Sequence, residues 1–320
     1  MVMAQSLFIR LKQQQPDCQI DVLAPTWTYA LLARMPEVSK ALPMPALARG
    51  QLGLVERIKL GKSLRANNYQ QAILLPNTWK SALIPFIAKI PLRTGYIGEC
   101  RWGLLNDIRR LDNALLTQTV QRFVALAEYP HINKVLICPA PQLKFDEEQR
   151  QQTIEKFNLT PTNKILALCS GAEYGEAKRW PASHYAEVAR IKLQQGWQVW
   201  LLGSQKDSVV AAQINQLNDN NCIDFTGKTN ISEAIDLLAL ADTVISNDSG
   251  LMHVAAALDK NIIAIYGSSD PHFTPPLSAK AKIISLGLEC SPCFQRECPL
   301  THTNCLVNIT PQQVINQINN

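Results

Sequence analysis

The sequence predicts an α/β protein with two parallel-sheet domains facing a cleft, and three observations carry that expectation. Short aliphatic runs recur along all 320 residues, longer amphipathic stretches separate them, and a proline-broken segment divides the chain near its middle. Strands alternating with helices in βα order argue for parallel sheets covered by helices. A chain this long suits two domains of about 100–200 residues each. The expected division is a first domain over residues 1–142 and a second over 143–320, each Rossmann-like.

Taken in order, the strand candidates of the first domain are 19–24, 71–75 and 134–137. Those of the second are 164–168, 197–202, 243–246, 261–266 and 281–285. Between them lie helix candidates at 3–15, 55–65, 115–127, 147–157, 182–194, 207–217, 231–241 and 252–258. The segment Cys138-Pro-Ala-Pro-Gln-Leu143 reads as a linker, because its prolines oppose both regular structures. The chain opens on a helix candidate with Leu7, Phe8 and Leu11 on one face, where a βαβ unit normally opens on a strand. The expectation is that Met1 is an internal methionine of a longer gene and that the first strand and its turn lie upstream.

With 47% hydrophobic and 18% charged residues the chain is globular, which excludes disordered, collagen-like and coiled-coil proteins. Apolar stretches such as 82–88 fall far short of the roughly 20 residues a membrane helix needs. Arg10 and Lys12 interrupt the one apolar segment near the start, so no secretory signal is read there. Nine cysteines without such a signal point to reduced thiols in the cytoplasm. Residues 1–140 hold 17 Lys/Arg against 8 Asp/Glu, whereas 141–320 hold 14 against 18. This asymmetry suggests that the first half meets something anionic: nucleic acid, a phosphorylated substrate or a membrane surface. An ordinary basic surface accounts for it equally well.

The strongest motif is Ser246-Asn-Asp-Ser-Gly-Leu-Met-His253, between a strand candidate and a helix candidate. Free backbone N–H groups and the helix dipole at such a junction can hold a diphosphate. Ser249 and Gly250 would supply amides that oxygens can approach closely, while Asp248 and His253 would orient sugar or phosphate oxygens. The plainer reading makes Asp248 or Ser249 an N-cap and His253 a packed helix residue. A second motif, Gly171-Ala-Glu-Tyr-Gly-Glu-Ala-Lys-Arg-Trp-Pro181, brings Lys178 and Arg179 to the same strand edge. Gly203-Ser-Gln-Lys-Asp207 follows another strand there, and Asp207 is the usual kind of residue for a ribose hydroxyl. Gly227-Lys-Thr229 is a weaker candidate for base contact, and Tyr266-Gly-Ser-Ser-Asp-Pro271 reads as a structural turn. No Gly-x-Gly-x-x-Gly follows any strand candidate, which disfavours a nicotinamide oxidoreductase.

Together with Leu75-Pro-Asn-Thr-Trp-Lys-Ser-Ala-Leu83, Arg93-Thr-Gly95, Gly103-Leu-Leu-Asn-Asp107 and Phe273-Thr-Pro-Pro276, these motifs resemble the heptosyltransferases of lipopolysaccharide core assembly, glycosyltransferase family 9. The resemblance runs nearly end to end and implies a GT-B fold. It implies inverting transfer of L-glycero-D-manno-heptose from ADP-heptose to the first heptose of heptosyl-Kdo2-lipid A, with no cofactor. Carried over by motif, Lys178 would counter the donor diphosphate and Asp207 would hold the ribose. Asp248, Ser249 and Gly250 would line the diphosphate–heptose site with His253 in support. Lys80, Arg93, Arg101 and Arg122 are candidates for the phosphates and carboxylates of the lipid A-core acceptor. The implied partners are the two substrates and, transiently, the inner face of the inner membrane, with no nucleic acid. Family members carry their general-base aspartate in an N-terminal Gly-Asp loop, and no residue here receives that role by motif. The expectations are a donor-binding chain of low turnover, or, as the alternative, a truncated nucleotide-sugar-binding protein.

Cys290, Cys293, Cys298 and Cys305 form a C-x2-C-x4-C-x6-C pattern with two readings. They could hold zinc or an iron–sulfur cluster through four thiolates, or they are reduced thiols in a loop. No metal is expected in the donor site itself.

Overall fold

Among the described residues parallel-paired strands, β1 Asp21–Ala24, β2 Lys40–Pro43, β3 Gln71–Leu74, β4 Leu92–Tyr96, β5 Asp107–Arg109, β6 Ile165–Cys169, β7 Gln198–Leu201, β8 Ile223–Asp224, β9 Thr243–Asn247, β10 Asn261–Ile265 and β11 Ala281–Ile284, alternate with helices except between β4 and β5 and between β10 and β11. The computed structural model describes residues 1–47, 51–128 and 135–319. The chain divides into two units, one of Met1, 3–33 and 37–139, the other of Val2, 34–36 and 140 onward.

The second unit is a six-stranded sheet in the order β11-β10-β9-β6-β7-β8, with every pair parallel. Its central strands are buried along their whole length: all five residues of β6, the apolar run Ile-Leu-Ala-Leu-Cys, and all five of β9, Thr-Val-Ile-Ser-Asn. That is the signature of strands covered on both faces. Both edge strands, two-residue β8 and lysine-bearing β11, are partly exposed, as edges in contact with water must be. The core beneath the helix Ala182–Gln194 gathers Leu166, Leu168, Tyr185, Val188 and Ile245. Side-chain caps start its neighbours. Asp146 accepts the N–H groups of Glu148 and Gln149 at 3.0 and 3.1 Å, and Asn230 with Glu233 forms a reciprocal capping box.

The order of this sheet places the site. The chain enters at β6, winds outward through β7 and β8, then returns to lay β9 against the other side of β6. The connections after β6 and β9 therefore diverge at the carboxyl ends of adjacent strands. In open α/β sheets that reversal point is where ligands bind.

The first unit carries two separate parallel sheets, β1-β2 and β3-β4-β5. Its opening element is a 3-10 turn over Val2–Ala4 running into the helix Gln5–Gln14. A cluster of Leu74, Ala82 and Leu105 packs between β3 and the helix Trp79–Ile87.

Three departures from the sequence expectation have physical reasons. No strand forms at 135–137, where Val135 and Ile137 are 65% and 87% exposed; Lys134 lies outside the described residues. Branched side chains favour a strand only when a neighbouring strand is there to pair with. Strands β2, β4, β5 and β8 were not expected: the first three are short and carry lysine, arginine, glycine or proline, and β8 is only the pair Ile223–Asp224. The helix Trp79–Ile87 was missed because Pro85 lies inside it.

Candidate functional site

The loop after β6 is built to present one lysine. Gly175 precedes a 3-10 turn over Glu176–Lys178, and the Lys178 N–H donates to the Gly175 carbonyl at 3.2 Å. Beyond it Trp180, 1% exposed, donates its indole N–H to the Ile309 carbonyl at 2.8 Å and stacks edge-on against Tyr185 at 4.8 Å. The loop is thus pinned at its far end by a buried aromatic, while Lys178 remains partly exposed.

The loop after β9 meets it. Asn247, fully buried, donates from its amide to the Ser170 carbonyl at 2.8 Å. Its side-chain oxygen accepts the Trp180 backbone N–H at 3.0 Å and the Tyr185 hydroxyl at 3.1 Å. One amide side chain thereby fastens the end of β9 to both ends of the first loop. Sequence reasoning passed over Asn247 although it lies within the quoted motif. The one available signal was a polar amide at the end of an apolar strand, where a buried polar group must find partners.

With the loops fastened, Lys178 and Asp248 form a salt bridge, their side chains 17% and 9% exposed. Such a half-buried pair is shielded from water, so an anion entering there meets a positioned ammonium. Ser249 caps the helix Gly250–Ala257, its hydroxyl accepting the Met252 N–H at 3.4 Å and lying 3.0 Å from the Ser246 hydroxyl. The N-cap reading of Ser249 is therefore realised, and it does not compete with anion binding. The amides of Gly250 and Leu251, at the first two helical positions, have no intrahelical acceptor. Gly250 is exposed, and a Cβ built on it would meet nothing within 4 Å. Open space at a helix N-terminus beside a lysine suits an anionic group.

His253 lies one helical turn from Ser249 and is half-buried. Burial pushes its imidazole well below the ordinary value; Asp248 opposes that shift and Lys178 adds to it. Burial therefore favours the neutral form of the ring.

Asp207, the candidate for a ribose hydroxyl, already has several protein partners. It is buried at 7% exposure, and one carboxylate oxygen accepts the Ser204 N–H and hydroxyl at 2.9 and 2.7 Å in a capping box. The other oxygen faces the Arg179 guanidinium at 3.7 Å. A Cβ on Gly171 would fall 2.3 Å from the carboxylate carbon, so glycine is required for this approach. Asp207 fixes the glycine loop and aims Arg179. Lys228 bends back to the Asp224 carbonyl at 2.8 Å. The turn after β10 is structural, with the Tyr266 hydroxyl donating to the Thr274 carbonyl at 2.7 Å.

In the first unit the four basic candidates separate. Arg101 is 3% exposed and donates to the carbonyls of Pro76, at 2.7 Å, and Tyr96. Burial lowers its pKa, and it serves as an internal staple rather than an exposed anion contact. Arg93 donates to the carbonyls of Leu104 and Ile90 at 2.7 and 2.6 Å, and Arg122 to that of Leu116 at 3.0 Å. Loops leave carbonyls that helices and sheets would have satisfied, and arginine forks supply the missing donors. Lys80, in the first turn of the helix Trp79–Ile87, has no carboxylate partner among the described residues.

An all-parallel sheet whose reversal point carries a lysine, an acidic residue and an open helix N-terminus is the α/β arrangement suited to an anionic ligand. Residues 57–304 match the model of glycosyltransferase family 9 (heptosyltransferase), and the chain belongs to that family. It is 44% identical to lipopolysaccharide heptosyltransferase 2 of Escherichia coli K12, covering 100% of this chain and 94% of the relative. It is 45% identical to lipooligosaccharide heptosyltransferase 2 of Haemophilus influenzae Rd, covering 100% and 95%. Among solved structures, E. coli ADP-heptose lps heptosyltransferase II superposes with a TM-score of 0.87 at 41% identity, covering 100% of this chain and 94% of that one. The fold is GT-B and the protein is a transferase enzyme.

Proposed function

We propose that the chain moves L-glycero-D-manno-heptose from ADP-heptose, with inversion, onto the first heptose of heptosyl-Kdo2-lipid A. The observation that carries the donor half is the meeting of Lys178 and Asp248 beside the open N-terminus at Gly250. In the reaction an acceptor hydroxyl forms a bond to the anomeric carbon and loses its proton, while the bond from that carbon to ADP breaks. Negative charge grows on the departing diphosphate. The Lys178 ammonium and the Gly250 and Leu251 amides are preformed donors for that charge, which is the arrangement that lowers a barrier most. Asp248 gives up part of its pairing with Lys178 as phosphate arrives and turns towards sugar hydroxyls. His253, neutral, holds the inner side of the site. Asp207 acts through Arg179 and the glycine loop, with the ribose as a secondary contact.

The first unit supplies the acceptor surface in this reading, with Lys80 as its leading anion contact and Arg93, Arg101 and Arg122 shaping the loops around it. The basic surplus of residues 1–140 draws the enzyme to anionic lipid headgroups at the inner face of the membrane. Among the described residues no helix is long and apolar enough to cross a membrane.

The test is turnover of ADP-heptose against acceptors bearing no heptose, one heptose or two. Transfer to the one-heptose acceptor, with the new linkage inverted relative to the donor, is the expected result. Transfer confined to the acceptor without heptose overturns the acceptor assignment, and binding of NAD without any response to ADP overturns the donor assignment.

A further inference from the structure

The donor site leaves the cysteine motif unused, and the fold gives that motif a shape. Cys290, Cys293, Cys298 and Cys305 line one cavity of about 20 Å³, together with Ser268 and Ala177. Residues spread over sixteen positions line that one cavity, three from the irregular chain after β11 and Cys305 from the short helix Asn304–Val307.

Three features of the cavity select its occupant. Its volume holds one water-sized sphere, which suits a single ion and excludes an organic ligand or a cluster. Cys298 opens a tight turn in which the Thr301 N–H donates to the Cys298 carbonyl at 3.0 Å and the His302 N–H to the Leu300 carbonyl at 2.8 Å. Thr301 and Thr303 adopt left-handed backbone angles of 59° and 47° in that turn, which β-branched residues accept only under constraint. Finally, the Ser268 hydroxyl is buried and has no hydrogen-bond partner, although its residue is 1% exposed and lines this cavity. A sulfur carrying negative charge is the acceptor it lacks.

We propose that Cys290, Cys293, Cys298 and Cys305 bind one thiophilic cation, zinc or iron(II), in a tetrahedral site braced against the loop that carries Lys178. Among the described residues no three His, Cys, Asp or Glu side chains already stand as a finished ligand set. The four cysteines nevertheless line one cavity, and in this proposal the bound ion draws their sulfurs into a four-thiolate shell. Each thiol that enters as thiolate releases its proton, so retention of the ion strengthens as pH rises.

The brace is visible. The Tyr174 hydroxyl donates to the Phe294 carbonyl at 2.7 Å, and the Ala177 N–H donates to the Arg296 carbonyl at 3.0 Å. The Phe294 N–H donates to the Ser268 carbonyl at 2.7 Å. A Cβ on Gly175 would lie 2.3 Å from the Arg296 carbonyl oxygen, so the two loops touch backbone to backbone. Arg296 and Lys178 both lie over the Tyr174 ring, at 5.2 and 5.1 Å. An ion that stiffens residues 290–305 therefore stiffens the seat of Lys178.

The test is metal content of the full chain purified without oxygen and exposed separately to zinc and to iron(II), then desalted. About one ion per chain is expected to stay bound, with at least a roughly tenfold loss in Cys298→Ser and none in Cys100→Ser, a cysteine of the other unit. Cobalt(II) added to the unaltered chain should show thiolate-to-metal absorption with tetrahedral ligand-field bands, a readout that does not depend on any variant folding. Retention of neither metal, with all four thiols reacting freely in the native chain, overturns the proposal. So does recovery of the four cysteines as disulfides from oxygen-free protein. A rise in donor KM on metal removal is the functional corollary; it rests on the donor-site reading, whereas metal content and spectra do not.

Discussion

Asn247 accepts the backbone N–H of Trp180 at 3.0 Å across a sequence separation of 67 residues. This bond fixes the spacing between the two loops that hold the candidate donor site. Replacing Asn247 with alanine removes that acceptor and leaves the Trp180 N–H, the Tyr185 hydroxyl and the Ser170 carbonyl unpaired in a dry interior. We expect Asn247→Ala to lose about 2–4 kcal/mol, from the cost of several unsatisfied buried groups. Urea denaturation monitored by tryptophan fluorescence measures it; a midpoint unchanged from the parent chain would remove the clamp from the account.

Lys178 carries the diphosphate charge in the proposed reaction. Losing one charge-assisted hydrogen bond costs about 1.5–3 kcal/mol, so Lys178→Met should lower kcat/KM for ADP-heptose by roughly 10–150-fold. Arginine in its place should recover only part of this, because a planar fork does not replace a compact ammonium. Full activity in Lys178→Met excludes the residue from the site.

Arg101 distinguishes a structural arginine from an acceptor contact. Its guanidinium is spent on the Pro76 and Tyr96 carbonyls inside the first unit. Arg101→Met should therefore destabilise that unit by about 2–4 kcal/mol while leaving ADP affinity unchanged. Calorimetric melting together with an ADP titration reads both quantities. A fully stable variant with a raised acceptor KM would return Arg101 to the acceptor site.

The depressed pKa of His253 has a definite sign. The unfolded chain takes up a proton near the ordinary value of 6.5, whereas the buried ring resists it. Below that pH the unfolded state binds more protons, so stability falls as pH drops towards the folded-state value. Above it both states hold neutral histidine and the residue adds no slope. Comparing denaturation midpoints of the parent chain and His253→Gln between pH 7 and pH 5 should show a smaller decline in the variant. Identical slopes would contradict the burial of the ring.

The sequence carried the second unit further than the first. Residues such as Ile165, Leu166 and Leu168 sit in an unbroken apolar run, and the helix Ala182–Gln194 keeps an apolar stripe, so local pattern and burial agree. Asp248, Ser249 and Gly250 stand out in the sequence because they come just past β9, and Lys178 because it lies in the loop after β6. Asp207 and Arg101 show the limit. An acidic residue after a strand reads alike whether it faces a ribose or caps its own loop, and a basic residue reads alike exposed or buried. Which of these occurs is decided by distant partners, Gly171 and Arg179 for Asp207, Pro76 and Tyr96 for Arg101. Asn247 escaped notice for the same reason: its partners are all distant in sequence.

The separation of β1-β2 from β3-β4-β5 has a mechanical outcome. Each sheet has two outer strands, so five short strands share four open flanks, while the six strands of the other unit share two. Backbone groups along an open flank exchange with solvent and break cooperatively with fewer neighbours. On warming, amide protons of Asp21–Ala24 and Gln71–Leu74 will be lost well before those of Ile165–Cys169, so the second unit's sheet outlasts the two small sheets of the first.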